Sequence, residues 1–260
     1  MSDYQNILFS VEGAVATLTL NVPETMNALT IAMMDEVGDV LTRIENDKSI
    51  RALILTGSGR GFCSGQNLKD RIPPGSDLTG VLMDSYFRAI NGIRNCRVPV
   101  VVAVNGTAAG GGFSVALCGD FLIAARSAKF IQVFSRIALG PDLGSTYLLP
   151  RAIGRARALQ LMMTNDPLDA ETAAEWGLIA EVLDDDKLMG RAREIANRLA
   201  TGPTYALHMT RRMVDEGEAN SFEQQFRREL ETNSELRDTH DSQEGVQAFN
   251  DKRQAVFRGE

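Results

Sequence analysis

Apolar and polar positions along this chain follow two regimes, and the change falls near residue 154. Before it, short β-rich apolar runs alternate with helical patterns. Residues 7–11 and 14–20 flank Glu12-Gly13 and predict a hairpin. Residues 30–46 carry apolar positions at helical spacing, with Thr30 as a candidate N-cap. Residues 51–56 (RALILT) predict a buried strand, and residues 57–61 a glycine-rich turn. A loop is predicted over 69–79, a helix over 78–96, and strands over 99–104 and 120–125. A short buried helix opens at Gly110-Gly111-Gly112. Two strands and a helix, repeated, predict an α/β fold of stacked ββα turns. After residue 154 the pattern is nearly all helical: 156–164, 169–176, 184–200, 203–216, 222–236 and 241–256. Thr201-Gly202-Pro203 stops one helix and restarts the next. The chain thus divides into a core, 1–200, and a C-terminal helical region, 201–260. The tail carries many charges and a thin apolar stripe, which suits either a subunit contact or a solvated face.

The 260 residues are 44% hydrophobic and 23% charged, enough for a sizeable core in about one domain. A formal charge of −7 argues against nonspecific binding to nucleic acid or an anionic membrane. Cys63, Cys96 and Cys118 lack paired spacing and read as reduced, buried thiols of a cytoplasmic protein. The two histidines, His208 and His240, both fall in the helical C-terminal part, against a histidine triad or a zinc site. Residues 1–10 lack the basic and apolar stretches of a signal peptide, and no apolar run approaches the roughly 20 residues of a membrane span.

Chemistry centres on the glycine run. Gly110-Gly111-Gly112 follows an apolar strand and opens a helix, so another group can approach the backbone closely. Free N–H groups at a helix start favour developing negative charge, which is half of an oxyanion hole. The next residues, Phe113 and Ser114, offer no acid or base. The general base must come from elsewhere.

Arg60-Gly61-Phe62-Cys63-Ser64-Gly65-Gln66-Asn67-Leu68 leaves the 51–56 strand. With the 108–120 segment, it makes the chain similar to the crotonase, or enoyl-CoA hydratase/isomerase, superfamily over essentially its whole length. The similarity extends to Asn27-Ala28-Leu29, to 99–112 (PVVVAVNGTAAGGG), to Trp176-Gly177-Leu178-Ile179 and to Phe249 with Lys252-Arg253. The resemblance implies a crotonase-like spiral of ββα units with a helical C-terminal trimerisation region. It implies a homotrimer or hexamer, an acyl-CoA substrate, no nucleic acid or membrane partner, and no metal or other cofactor, since coenzyme A belongs to the substrate. By position it assigns the N–H groups of Gln66 and Gly111 to the thioester oxygen as it becomes an enolate. Such donors are worth about 10²–10³ in rate each. It lays the coenzyme A path along Ala28, Gly65, Asn67 and Leu68, and brings Phe249 and Lys252 towards a neighbour's coenzyme A. Plainer readings stay open: an ordinary loop at Gln66, tight packing at Gly111, a solvated lysine at Lys252.

The departures carry information. Hydratases of this superfamily position a water with two glutamates, and here Ser114 and Phe134 stand at those places. Without that pair, hydration loses its acid–base machinery, and Phe134 would wall a dry acyl site. Asp142, in Leu139-Gly140-Pro141-Asp142-Leu143-Gly144-Ser145, stands where isomerase branches carry a proton-moving acid. Residues 59–71, 124–130 and 140–158 are similar to one such branch. Asn67, Phe87 and the 69–79 loop differ from it and leave the acyl group open. The implied reaction is a 1,3-shift through an enolate, from a 3-enoyl-CoA to a 2-enoyl-CoA, or the opening of a ring-epoxide arylacetyl-CoA to an oxepin. Asp142 could instead cap a helix from Leu143 onward. Three further readings stay open: a hydratase with another base, a CoA-ester-binding protein without turnover, and an RNA-binding member, which the net charge disfavours.

Overall fold

The computed structural model describes residues 4–70, 72–73 and 75–260. Strands β1 (Ile7–Glu12) and β2 (Val15–Leu20) form the predicted antiparallel hairpin, with Glu12 opposite Val15. Helix α1 (Ile31–Asn46) follows. The Thr30 hydroxyl accepts from the Met33 N–H and so satisfies one of the free donors of its first turn.

Three ββα units come next. The first has β3 (Ala52–Gly57), β4 (Gly61–Cys63) and helices α2 (Leu78–Leu82) and α3 (Arg88–Arg94). The second has β5 (Val100–Val104), β6 (Thr107–Ala109) and α4 (Gly111–Ala116). The third has β7 (Phe121–Ala125), β8 (Lys129–Ile131) and α5 (Ser145–Ile153). The first strand of each unit enters a six-stranded sheet, in which β3, β5 and β7 run parallel. The second enters a four-stranded sheet, in which β4, β6 and β8 run parallel. Each unit is therefore one turn of a spiral, as the sequence similarity implies. The chain continues through α6 (Arg155–Thr164), β9 (Leu168–Asp169), α7 (Ala170–Glu175), β10 (Glu181–Leu183), α8 (Leu188–Ala200), α9 (Thr204–Gly217), α10 (Phe222–Arg237) and α11 (His240–Asn250).

Strand β5 shows why the six-stranded sheet is so apolar. Val100, Val102 and Val104 face one buried cluster, while Val101 and Ala103 face a second one closed by Leu188, Ala192, Ala196 and Ala200 of α8. A parallel strand covered on both faces reads as a continuous apolar run, and this one does.

The structure departs from the sequence pattern in five places. Strands β9 and β10 lie inside the stretch that reads as helical; they pair with β8 and β7, and are too short for alternation to show. The 78–96 helix is interrupted by a π-helical turn, Met83–Phe87, and its last helical segment ends at Arg94. Helix α5 begins at Ser145, because Leu143 (φ +50°) and Gly144 (φ +83°) are both left-handed. Its N-cap is Gly144 and no side chain caps it, so Asp142 is not a helix cap. Helix α11 ends at Asn250, well before residue 256. The terminal segment folds back instead: the Arg258 and Gly259 N–H groups each donate to the Asp241 carboxylate at 2.7 Å. The predicted 69–79 loop includes Arg71 and Pro74, and the residues read for a signal peptide include 1–3; these positions lie outside the described residues. Among the described residues no helix is long and apolar enough to cross a membrane.

The three cysteines are free and buried. Burial pushes the Cys63 and Cys118 thiols up to about 12 and the Cys96 thiol up to about 11. His208 is half-buried with Nδ1 3.2 Å from the Cys96 carbonyl oxygen, and His240 is the first residue of α11.

Candidate active site

Two glycines bring the second turn of the spiral against the first. Gly65 is left-handed (φ +92°), and a Cβ there would stand 2.8 Å from the Ala109 carbonyl oxygen and 3.3 Å from the Gly111 nitrogen. Only a residue without a side chain allows that approach. Gly110 (φ +51°) turns the chain from β6 into α4 while its N–H donates to the Ile131 carbonyl at 2.8 Å. Gly111 is then the first residue of α4, where no preceding turn accepts its N–H.

Gln66 meets Leu29 in an isolated parallel bridge. The Leu29 N–H donates to the Gly65 carbonyl and the Asn67 N–H to the Leu29 carbonyl, at 2.8 and 2.9 Å. The bridge thus uses the amides either side of Gln66 and turns the Gln66 N–H away from Leu29. Its nitrogen lies 4.0 Å from where a Cβ on Gly111 would sit. Two backbone donors, Gln66 and Gly111, therefore border one small space, and together they can hold an anionic oxygen.

That space is a cavity of about 300 Å³, bordered by Gly65, Gln66, Leu68, Gly111, Phe134 and Asp142, among others. A second cavity, about 390 Å³, lies between the 78–94 segment and α5; Leu78, Met83, Phe87, Ile90, Tyr147 and Leu148 make it strongly apolar. Leu82, Asp142 and Leu143 border both. Asp142 thus stands at the junction of a chamber bordered by the two backbone donors and a chamber without them. Among the described residues it is the one acid bordering either cavity. Burial pushes its carboxyl above the usual carboxylate range, and its own backbone N–H pulls it partly back. The cationic residues on these walls have partners of their own. Arg136 donates to the Asn165 carbonyl, and Arg94 pairs with Asp215, each at 3.0 Å.

The structure thus gathers Gly65, Gln66, Leu68, Gly111, Phe134 and Asp142 around one cavity. It places Ala28, Asn67, Phe249 and Lys252 elsewhere. Ala28 is buried beside the bridge, the Asn67 Oδ1 accepts from the Lys69 N–H, and Phe249 and Lys252 are exposed near the end of α11. Sequence reasoning set Phe87 and the 69–79 loop at the border of the acyl pocket, and Phe87, Leu78 and Thr79 do line the second cavity; it missed Leu82 and Tyr86 on the first cavity and Met83, Ile90, Tyr147 and Leu148 on the second. Their signal is the π-helical turn, which sends Tyr86 to the first chamber and Met83 and Phe87 to the second, while Leu82 just before it borders both. Such turns recur at functional sites. Among the described residues no three His, Cys, Asp or Glu side chains gather as metal ligands would.

A two-sheet ββα spiral with paired backbone donors at a helix start defines a class of thioester-handling proteins, and the relatives agree. Residues 10–260 match the enoyl-CoA hydratase/isomerase family, and the chain belongs to that family. It is 43% identical over 257 residues to the 1,2-epoxyphenylacetyl-CoA isomerase of Escherichia coli strain K12, covering 97% of this chain and 98% of the relative. It is 41% identical over 256 residues to a protein of Rhodobacter capsulatus named "Probable enoyl-CoA hydratase", covering 98% and 99%. Among solved structures, an enoyl-CoA hydratase from Bacillus anthracis superposes with a TM-score of 0.87 at 32% identity, covering 98% of this chain and all of that one.

Proposed function

We propose that the protein is a CoA-thioester isomerase that works through an enolate. The observation that carries this reading is the position of Asp142, the one acid among the described residues on either cavity wall, beside the Gln66 and Gly111 amides. The thioester oxygen sits between the two N–H groups. Asp142 takes a proton from C2 of a 3-enoyl thioester, and the negative charge moves to the oxygen, where preorganised donors stabilise it. The protonated Asp142 then returns the proton to C4, giving the 2-enoyl product. Nothing is added or lost, so one carboxylate suffices and no cofactor takes part. Phe134 and Leu143 exclude water, which favours proton return over hydration.

The acyl tail beyond the reacting carbons occupies the second, apolar cavity. An epoxyphenylacetyl group suits the same two chambers, and its conversion to an oxepin is likewise an isomerisation; the Escherichia coli relative supports this substrate. Hydration of a 2-enoyl-CoA is the second reading, favoured by the name of the Rhodobacter capsulatus relative. Coenzyme A follows Gly65 and Leu68 outward. Phe249 and Lys252 of a neighbouring copy close over it in a homotrimer or a dimer of trimers, built by residues 201–260. Exposed Phe222, Phe226 and Leu230, spaced four apart on α10, support such a contact. The free thiols support a cytoplasmic setting.

The test is a panel of 3-enoyl-CoA thioesters of several lengths, crotonyl-CoA and epoxyphenylacetyl-CoA, with products identified by mass and ultraviolet absorbance. Isomerisation well above hydration is expected. Hydration as fast as isomerisation overturns the assignment.

A further inference from the structure

Ser114 is fully buried and lies outside the cavity wall, yet it is tied to Asp142. Its Oγ is 3.1 Å from the Asp142 carbonyl oxygen and 3.4 Å from the Gly110 carbonyl, so the single hydroxyl proton has its better acceptor across the fold. The Asp142 carbonyl also accepts from the Ser145 N–H at 3.0 Å. The Ser145 Oγ in turn accepts from the buried Gln132 side chain at 2.9 Å. Asp142 is thus pinned through its own peptide by α4 on one side and by the start of α5 on the other.

This pinning answers a local difficulty. Leu143 and Gly144 are successive left-handed residues. For a leucine that conformation is sterically unfavourable, so the surrounding structure must hold it. The loop carrying Asp142 would relax without an anchor. Its anchor is on α4, the same six-residue helix whose first N–H, Gly111, borders the cavity. The anchor of the base, Ser114, and the donor Gly111 therefore sit three residues apart on one helix.

We infer that Ser114 is a positioning residue, which sets the distance from the Asp142 carboxylate to the oxyanion donors through its hydroxyl bond to the Asp142 carbonyl. This rests on the proposed role of Asp142. A misplacement of about 1 Å can cost on the order of 10²-fold in rate. Loss of one anchor of two is expected to lower kcat about tenfold, on that scale, with KM changed less than about twofold.

The experiment is a double-mutant cycle on 3-enoyl-CoA turnover. Ser114→Ala leaves no buried acceptor unpaired, since the Ser145 N–H still serves the Asp142 carbonyl, so it should fold and melt close to the parent. Ser114→Cys keeps a weak donor of similar size, and should fall between parent and Ser114→Ala; it also carries the test if Ser114→Ala does not fold. In an Asp142→Asn background, Ser114→Ala should cost nothing further, because Ser114 acts only through the base. An equal loss in both backgrounds, or parental kcat in a folded Ser114→Ala, overturns the inference while leaving the site intact. Full activity of Asp142→Asn alone overturns both the inference and the proposed mechanism.

Discussion

Gly111 and Leu143 pack so closely that a Cβ on Gly111 would stand 3.0 Å from the Leu143 Cδ1. It would also lie 3.3 Å from the Leu29 Cδ1 and 4.0 Å from the Gln66 nitrogen. Both close contacts are ends of flexible side chains, so Gly111→Ala should fold. Its methyl group would intrude on the space between the two amides while keeping both N–H groups, and a modest loss of turnover is expected. Gly111→Pro removes the N–H at a first helical position, where proline is tolerated. It should cost at least the roughly 10²-fold of one oxyanion donor. Circular dichroism checks that each variant is folded. A folded Gly111→Pro with parental turnover would show that this amide is idle.

Asp142→Asn separates catalysis from stability. Turnover should fall by about 10² or more, the scale for loss of a general base, while CoA-ester affinity stays near the parent. Stability has a definite sign. The folded-state pKa of Asp142 is raised, so the native protein favours the protonated carboxyl more than the unfolded chain does. That stabilisation is full below the ordinary carboxylate range and is lost as the pH rises through the raised folded value. At neutral pH the buried charge is therefore a burden that asparagine lacks. Asp142→Asn should melt at or above the parental temperature at pH 7, with the difference vanishing in acid. A clear loss of melting temperature at pH 7 would mean that the carboxylate has a structural bond.

The same shift places the acid limb of turnover. Asp142 must be ionised to accept a proton, so kcat should rise with pH through an inflection above the ordinary aspartate range. Arg136 and Arg94 border the two cavities on either side of it, and both are engaged, with Asn165 and Asp215. Phe134→Gln, which lets water reach the carboxyl, should move the inflection down. An inflection that stays put in this variant would assign the limb to another group.

Much of this site was legible because it depends on what backbones can do. Glycine at 65 and at 112 is demanded by backbone approaches that no Cβ survives, and such demands show in a single sequence. Asp142 was legible through the resemblance, which sets a proton-moving acid at that position; its alternative reading as a cap, drawn from its place in a turn, fails because α5 starts only at Ser145. The 78–96 helix was legible as a helix, but its π-helical turn was not, since the apolar spacing fits either geometry over so few residues. The second cavity needed the packing of that helix against α5, which no local pattern encodes. The bond from Ser114 to Asp142 joins residues 28 apart, and nothing in the sequence pairs them. Short β10 was hidden for the opposite reason: three residues hold too little pattern to set a strand apart from a helix.

The second cavity gives the sharpest prediction about substrate. Its wall includes Met83 and Phe87, both about half exposed, at 51% and 49%. Neither belongs to the buried core, so either can be changed without opening a core cavity. Neither borders the chamber that holds the amides. Met83→Trp should therefore fill the tail chamber and leave the reacting end alone. On that reading, kcat/KM for a short 3-enoyl-CoA should stay within about threefold of the parent. For a long-chain 3-enoyl-CoA it should fall by an order of magnitude or more, since a tail denied apolar burial forfeits about 0.8 kcal/mol for each CH₂ left in water. Epoxyphenylacetyl-CoA, whose ring is bulky close to the thioester, should be hit less than the long chain. Equal losses on short and long thioesters would mean that the tail leaves by another route, and that the apolar chamber is not part of the acyl site.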